Sequence, residues 1–299
     1  MGYIALRLVV QHLYHFYACF LNHGRRVCYT VTIAQKNTGK DPMSFDSLRK
    51  LFEFDAPLHT VIEPASRFEP VNGRLVDCLE VYKPHVIVKI GLGNPAYIES
   101  IMEHSKALVV VVEPSVIVLQ SFYNAYGNKQ WMDRLYAIAG NFSQFPVDYY
   151  KADMLICIDC LDLLDTGMAV DEFRRSLQFE GIFFFAGFVL PNEDVEGIFD
   201  EIAHVINPLH TDYYLEDDLK TFMTLNEFGI VKLNTQKINM NILLLADYLQ
   251  TRSSELEKLI QEHKETLTAL YDLRGDGTVT LPYMVAAFIR QKPSQEEAL

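Results

Sequence analysis

The sequence predicts an α/β protein built on a doubly wound, mostly parallel sheet with helices on both faces. Three observations carry that expectation. Short, continuous apolar runs recur between residues 85 and 188, as strands buried on both faces require. Helix-like segments with cap residues separate these runs, and regular strand–helix alternation builds parallel sheets. The first run, Val86-Ile-Val-Lys-Ile90, passes through Gly91-Leu92-Gly93-Asn94 into a helix start at Pro95.

Taken in order, Ser44 can cap a short helix over 45–54, and Pro57, Pro64 and Pro70 then break the chain into loops. Residues 75–81 read as a helix that Pro84 ends. Strands are expected at 85–90, 107–112, 135–139, 154–158 and 182–188. Asn94 precedes Pro95, a favoured first helical residue, and Ser115 opens the next helix, which Gly127 closes. Residues 215–228 read as a helix terminated by Gly229, and a strand begins over 230–233. Ser254 and Glu257 form a capping box for a helix ending near Tyr271, with Leu256, Ile260, Leu267 and Leu270 on one face. Residues 279–289 read as the last strand.

The bulk numbers agree with this plan. A chain of 299 residues that is 49% hydrophobic and 22% charged is globular. A net charge of -13 argues against general nucleic-acid binding, which needs clustered Lys and Arg. The five cysteines, Cys19, Cys28, Cys78, Cys157 and Cys160, are odd in number and form no disulfide framework, so a reducing cytoplasm is expected. No stretch reads as a membrane span, because Arg7, Gln11, His12 and His15 interrupt the most apolar N-terminal run.

Residues 1–42 are basic and aromatic-rich, unlike the acidic remainder. They are expected either to form an N-terminal helix docked on the domain or to be translated upstream sequence. For the second reading, Lys40-Asp41-Pro42-Met43 can be encoded by a purine-rich bacterial ribosome-binding sequence ahead of a Met codon, which makes Met43 the start of a bacterial protein. The expected division is an extension at 1–42, a helical and loop segment at 43–71, the main domain at 72–292 and a flexible end at 293–299. The helical segments at 44–84 and 250–271 are expected to cover a pocket or to form a homodimer surface.

The chemistry centres on the glycine turn. Glycines let a ligand approach the backbone, and the helix start offers free N–H groups at a positive dipole end. About 20 residues on, Glu113 ends the second apolar run, where nucleotide-binding sheets place an acid that receives ribose hydroxyls. Turn and acid together say more than either alone. The competing readings are a tight turn with no ligand and an exposed acid before Pro114.

At this point the chain resembles the class I S-adenosyl-L-methionine (SAM)-dependent methyltransferases, over 72–292. Gly91-Leu-Gly93 is similar to the family's first motif, Glu113 to its ribose-binding acid, and Gly140-Asn141-Phe142 to its adenine contact. The run from Asp153 to Asp159 is similar to the fourth strand, and Arg174 to Gly181 to the helix and turn before the fifth. The resemblance implies a Rossmann-like sheet whose last strand, at 279–289, is antiparallel. It implies SAM contacts from Gly91, Leu92, Gly93, Asn94, Glu113, Pro114, Asn141, Phe142 and Asp159. It further implies a small-molecule acceptor beyond the strand ends, with Asp159, Tyr213 and His210 as catalytic candidates and His210 as general base. A solvated histidine and a packing tyrosine are the competing readings.

The sequence departs from the family where Lys89 stands for an acid, Pro95 for a third glycine and Asn141 for Asp or Glu. Two further functions therefore stay open. One is a methyltransferase-like protein that binds SAM or a nucleoside, or mediates assembly, without catalysis. The other is an NAD-dependent oxidoreductase, since Gly91-x-Gly93-x-x-Ala96 with Glu113 also fits a dinucleotide fingerprint. No metal set is expected. Cys157-x-x-Cys160 has no second pair to complete a zinc site, and the run from Asp272 to Tyr283 lacks the acids of a calcium loop.

Overall fold

A computed structural model describes residues 65–292, apart from 143, 208, 250 and 252, together with the backbone of three strands between residues 7 and 33. Those strands, β1 (Arg7–Val10), β2 (Leu13–Asn22) and β3 (Arg25–Ile33), pair as an antiparallel meander. The helix expected in 1–42 is therefore replaced by strands over these spans. Aromatic and β-branched residues such as Tyr14, Phe16, Val27, Thr30 and Val31 favour strand over helix. The expected helix at 45–54, the Met43 start and the end at 293–299 lie outside the described residues.

Helix α1 (Ala65–Tyr82) leads into a seven-stranded sheet. Its strands are β4 (Val86–Ile90), β5 (Leu108–Glu113), β6 (Leu135–Ala139), β7 (Ala152–Ile158), β8 (Leu177–Phe188), β9 (Phe228–Asn241) and β10 (Thr278–Arg290). The order is β6-β5-β4-β7-β8-β10-β9. Strands β4 to β8 pair in parallel, and β10 runs antiparallel to both β8 and β9. The expected sheet class and its antiparallel last strand are thus present.

Alternating side chains of the buried strands feed two cores. On one face Ile87, Val109 and Ile156 pack with α1, α2 (Pro95–His104) and α3 (Val116–Tyr126), through residues such as Leu75, Ile98 and Phe122. On the other, Val88, Leu155 and Phe183 pack with Phe173 of α4 (Thr166–Ser176) and Met223 of α6 (Glu216–Leu225). Two-sided burial explains why the strands read as unbroken apolar runs.

A third core lies beyond the sheet. It joins α5 (Ile198–Ile206), α7 (Ile242–Leu249), α8 (Ser254–Glu262) and α9 (Lys264–Tyr271) to the far ends of β9 and β10, through Phe199, Ile202, Leu256, Tyr271 and Leu281. Asp194 anchors this layer. Its carboxylate accepts from the Ile198 and Phe199 amides at 3.0 and 3.1 Å and receives the Tyr271 hydroxyl.

Several expected boundaries move. Helix α1 runs through Pro70, because its buried Val71, Leu75 and Leu79 outweigh the one backbone bond a proline removes. Residues 178–181 belong to β8, with Glu180 at φ 66 absorbing an irregularity near the strand start. Helix α6 ends at Leu225 and Glu227, at φ 71, makes the turn, so Gly229 is already in β9. The cap of α8 is Ser253, whose hydroxyl accepts from the Leu256 amide at 3.2 Å, rather than Ser254. His263 divides the expected single helix into α8 and α9.

Candidate active site

The strand order reverses between β4 and β7: β4 lies beside β5 on one side and β7 on the other. In open α/β sheets a ligand crevice forms outside the carboxyl ends of strands at such a switch point. The chain leaves β4 into the glycine turn and leaves β7 at Asp159, so both meet there.

The turn is held from beneath. Gly91 and Gly93 adopt φ 68 and 52, a region that favours glycine. The Gly91 amide donates to Val112 O at 2.8 Å, and the Leu92 amide donates to Glu113 Oε2 at 2.9 Å. The other Glu113 oxygen accepts from the Ser115 amide at 2.9 Å. The Lys89 ammonium is fully buried and donates to the carbonyls of Gly91 and Leu92, at 2.7 and 2.9 Å. Its charge therefore lies under the turn, bonded to carbonyl oxygens. Burial raises the Glu113 carboxyl above its ordinary value, and the two amides and nearby Lys89 only partly offset this.

This arrangement sorts the residues expected to touch a cofactor. Glu113 is only 3% exposed and braces the turn through its two oxygens. Leu92 is buried, and Asn94 caps α2 by accepting from the Ala96 amide at 3.0 Å. Gly93, Pro114 and Asn141 are exposed, and Phe142 is half-buried. Phe142 and Cys160 lie over Gly91: an added β-carbon there would sit 3.9 Å from the Phe142 ring and 2.7 Å from Cys160 Sγ. Cys157 is core, as its place in the buried run implied. Asp153 works at the opposite end of the sheet, where it accepts from the His85 and Val86 amides at 2.7 Å.

Three expected residues from two separate stretches of sequence meet in one cavity of about 200 Å³. Asp159, Tyr213 and His210 line it together with Arg67, Asp162 and Phe188. Its remaining wall is largely apolar and includes Phe199, Ile206, Met240 and Leu245. Arg67, 1% exposed, pairs with Asp159 Oδ2 at 3.0 Å and lies over the rings of Phe188 and Tyr283. The Tyr283 hydroxyl donates to Asp159 Oδ1 at 2.9 Å. Asp159 sits at φ 52, which turns it out of the strand end.

His210 is held between carboxylates. Its Nε2 lies 2.7 Å from Asp200 Oδ1 and its Nδ1 lies 3.4 Å from Asp162 Oδ2. Burial alone would discharge the ring, but the hydrogen bonds and charges of Asp162 and Asp200 prevail and push it up to about 9. His210, the histidine the sequence offered as general base, thus lines the cavity with a carboxylate at each ring nitrogen. Burial, with Asp162 and Asp159 nearby, raises the Tyr213 phenol, so it stays neutral. Arg67, Asp162, Asp200 and Tyr283 escaped sequence reasoning. The partners of Arg67, Asp162 and Tyr283 are distant in the chain, and the Asp200 pairing with His210 depends on how the loop after α5 folds back.

This fold is that of the class I SAM-dependent methyltransferases. Similar solved structures include the YcgJ protein from Bacillus subtilis, with a TM-score of 0.64 and 16% identity over 75% of this chain and 99% of that one. A candidate methyltransferase from Bacillus halodurans C-125 matches with a TM-score of 0.64 and 13% identity over 74% and 99%. Geranyl diphosphate C-methyltransferase from Streptomyces coelicolor A3(2) matches with a TM-score of 0.54 and 12% identity over 84% and 86%. No protein-family model matches the sequence, and the comparison with curated proteins gives no match. Among the described residues, no helix is long and apolar enough to cross a membrane.

Proposed function

We propose that this chain is a SAM-dependent methyltransferase acting on a small, largely apolar acceptor. The observation that carries the reading is the cavity at the ends of β7 and β8, where Arg67, Asp159 and Asp162 face an apolar wall. Solved neighbours bound to S-adenosyl-L-homocysteine or SAM support the choice of cofactor.

The charges fit such a ligand. The amino-acid end of SAM carries a carboxylate beside an ammonium and a sulfonium, and buried Arg67 and Asp159 offer a cation and an anion side by side. Exposed Gly93 and Asn141, with the Phe142 ring, would hold the nucleoside end; the Asn141 amide can both donate to and accept from an adenine edge. The Lys89 ammonium is buried and solvated by the turn carbonyls, which offset part of its field toward the sulfonium. When bound, SAM supplies an electrophilic methyl group. The apolar wall from Phe188 to Met240 would exclude water and hold the acceptor in line, which is where most of the rate originates in such transfers. Asp159 and Tyr213 then act by position and polarity, with no step requiring His210 as base.

One observation favours a second reading, a methyltransferase-like protein that binds a nucleoside or mediates assembly without catalysis. Both Glu113 oxygens and the Lys89 ammonium are committed to backbone groups. Calorimetric titration of the full chain with SAM, S-adenosylhomocysteine and NAD separates the cases. The proposal expects saturable binding of both sulfur nucleosides and none of NAD. Folded protein that binds neither sulfur nucleoside would leave the second reading in place.

A further inference from the structure

Two histidines and a carboxylate converge behind the cavity, and the methyl-transfer reading gives them no chemistry. Asp200 and His204 stand one turn apart on α5, and His210 returns from the loop that follows. Their ligating atoms all lie within 4.8 Å of one another. His210 Nε2 is 2.7 Å from Asp200 Oδ1, and His204 Nδ1 is 3.5 Å from Asp200 Oδ2 and 3.0 Å from the Asp200 carbonyl oxygen, which an ion would displace. The two imidazole rings are 4.7 Å apart.

That donor set has a chemical preference. Imidazole nitrogens with one carboxylate suit zinc and its first-row neighbours, whereas magnesium and calcium take oxygen ligands. Bonds of about 2.0–2.1 Å in a tetrahedral site separate adjacent donors by roughly 3.3 Å. With one ligand atom from each residue the three lie within 4.8 Å of one another, so side-chain shifts of up to about 1.5 Å bring them to that spacing.

The surroundings match a supported metal site. Metal-binding histidines usually present their second ring nitrogen to a carboxylate, which orients the ring. His210 does so, with Nδ1 3.4 Å from Asp162 Oδ2. Asp162 is itself tied to the His210 loop, because the Thr211 amide donates to its carbonyl at 2.7 Å. The Tyr213 amide donates to Asp200 Oδ1 at 2.6 Å, which leaves Oδ2 turned toward His204. His210 is 1% exposed and lines the cavity, while His204 is 47% exposed and offers entry from solvent.

We propose that Asp200, His204 and His210 form a three-ligand site for a divalent transition-metal ion, with Asp162 as the positioning residue behind His210. Three protein ligands leave a coordination position for water, the arrangement of open rather than closed zinc sites. The site stands apart from the cofactor reading, since none of its ligands belongs to the glycine turn or to the Arg67–Asp159 pair.

The test uses the metal-free full chain titrated with zinc chloride, and with cobalt(II) as a visible-absorbing probe. The expected result is one saturable site per chain, with cobalt bands of a four-coordinate nitrogen and oxygen site and no thiolate charge-transfer band from the cysteines. His204→Ala, at an exposed position, should abolish that binding while keeping the wild-type circular dichroism. Asp162→Asn should weaken it by about 10–100-fold. Folded wild-type protein without saturable zinc binding would mean an ion-pair cluster only and overturn the proposal. So would binding undiminished in His204→Ala, or cobalt spectra showing cysteine ligation.

Discussion

At the scale of single residues, the glycine turn shows how backbone angle and space act together. Gly91 combines φ 68 with a β-carbon position 2.7 Å from Cys160 Sγ. Gly91→Ala should therefore destabilise the protein by about 2–4 kcal/mol in urea unfolding, from strained backbone and overpacking. Gly73, inside α1 with nothing within 4 Å of an added β-carbon, makes the contrast. Gly73→Ala should stabilise by about 0.5–1 kcal/mol. Equal effects at the two positions would contradict this account. Glu113 carries a pH prediction. Burial raises its carboxyl in the folded state, so the native protein binds more protons than the unfolded chain between the ordinary and raised values. Stability should then fall as pH rises through that window. Glu113→Gln should flatten this slope and cost about 1–3 kcal/mol, because one backbone amide loses its acceptor. Denaturant midpoints measured across pH check both parts. Gly91, Gly93 and Glu113 were legible as a unit because spacing after an apolar strand is visible in one dimension. The Glu113 bonds to the Leu92 and Ser115 amides were not, because a side chain's contacts with backbone groups leave no mark in sequence spacing.

At the scale of elements, local signals worked where local chemistry decides. Asn94 and Ser115 cap α2 and α3 as expected, each with a side-chain bond to a helical amide. The apolar runs became strands because burial on both faces removes any need for polar alternation. Tertiary packing overrode the local signal at Pro70, which sits inside α1, and at Gly229, which extends β9. The layer beyond the sheet was the least legible part. Its helices α5 and α7 to α9 touch one another and the ends of β9 and β10, and Asp194 ties α5 to α9. Burial and Asp194 together raise the Tyr271 phenol, so this contact is a hydrogen bond from a neutral hydroxyl. Asp194→Ala removes acceptors from two helix amides and that hydroxyl. It should cost about 2–4 kcal/mol. Because the layer walls the cavity through Phe199 and Ile206, hydrogen exchange should quicken in α5 and α9 before the parallel strands. Uniform acceleration across the sheet would contradict a locally anchored layer.

At the scale of the whole molecule, the sheet brings distant residues to one place. The reversal of strand order sets the glycine turn of β4 beside the end of β7, and α1 delivers Arg67 to Asp159 across that gap. The candidate residues Asp159, His210 and Tyr213 were readable as residues near strand and helix ends. Their shared cavity was not, because it depends on α1 and on the layer built from 198–271. Lys89, a departure from the family pattern, is accommodated by inverting the brace: a buried cation bonded to turn carbonyls. In the proposed function this crevice binds the nucleoside cofactor through the Arg67–Asp159 pair. Titrating S-adenosylhomocysteine into wild-type protein and into folded Asp159→Asn checks that contact. Saturable binding is expected in the wild type, weakened at least tenfold (about 1.4 kcal/mol) in Asp159→Asn. Equal affinity in the two proteins, or no binding by folded wild type, would contradict it.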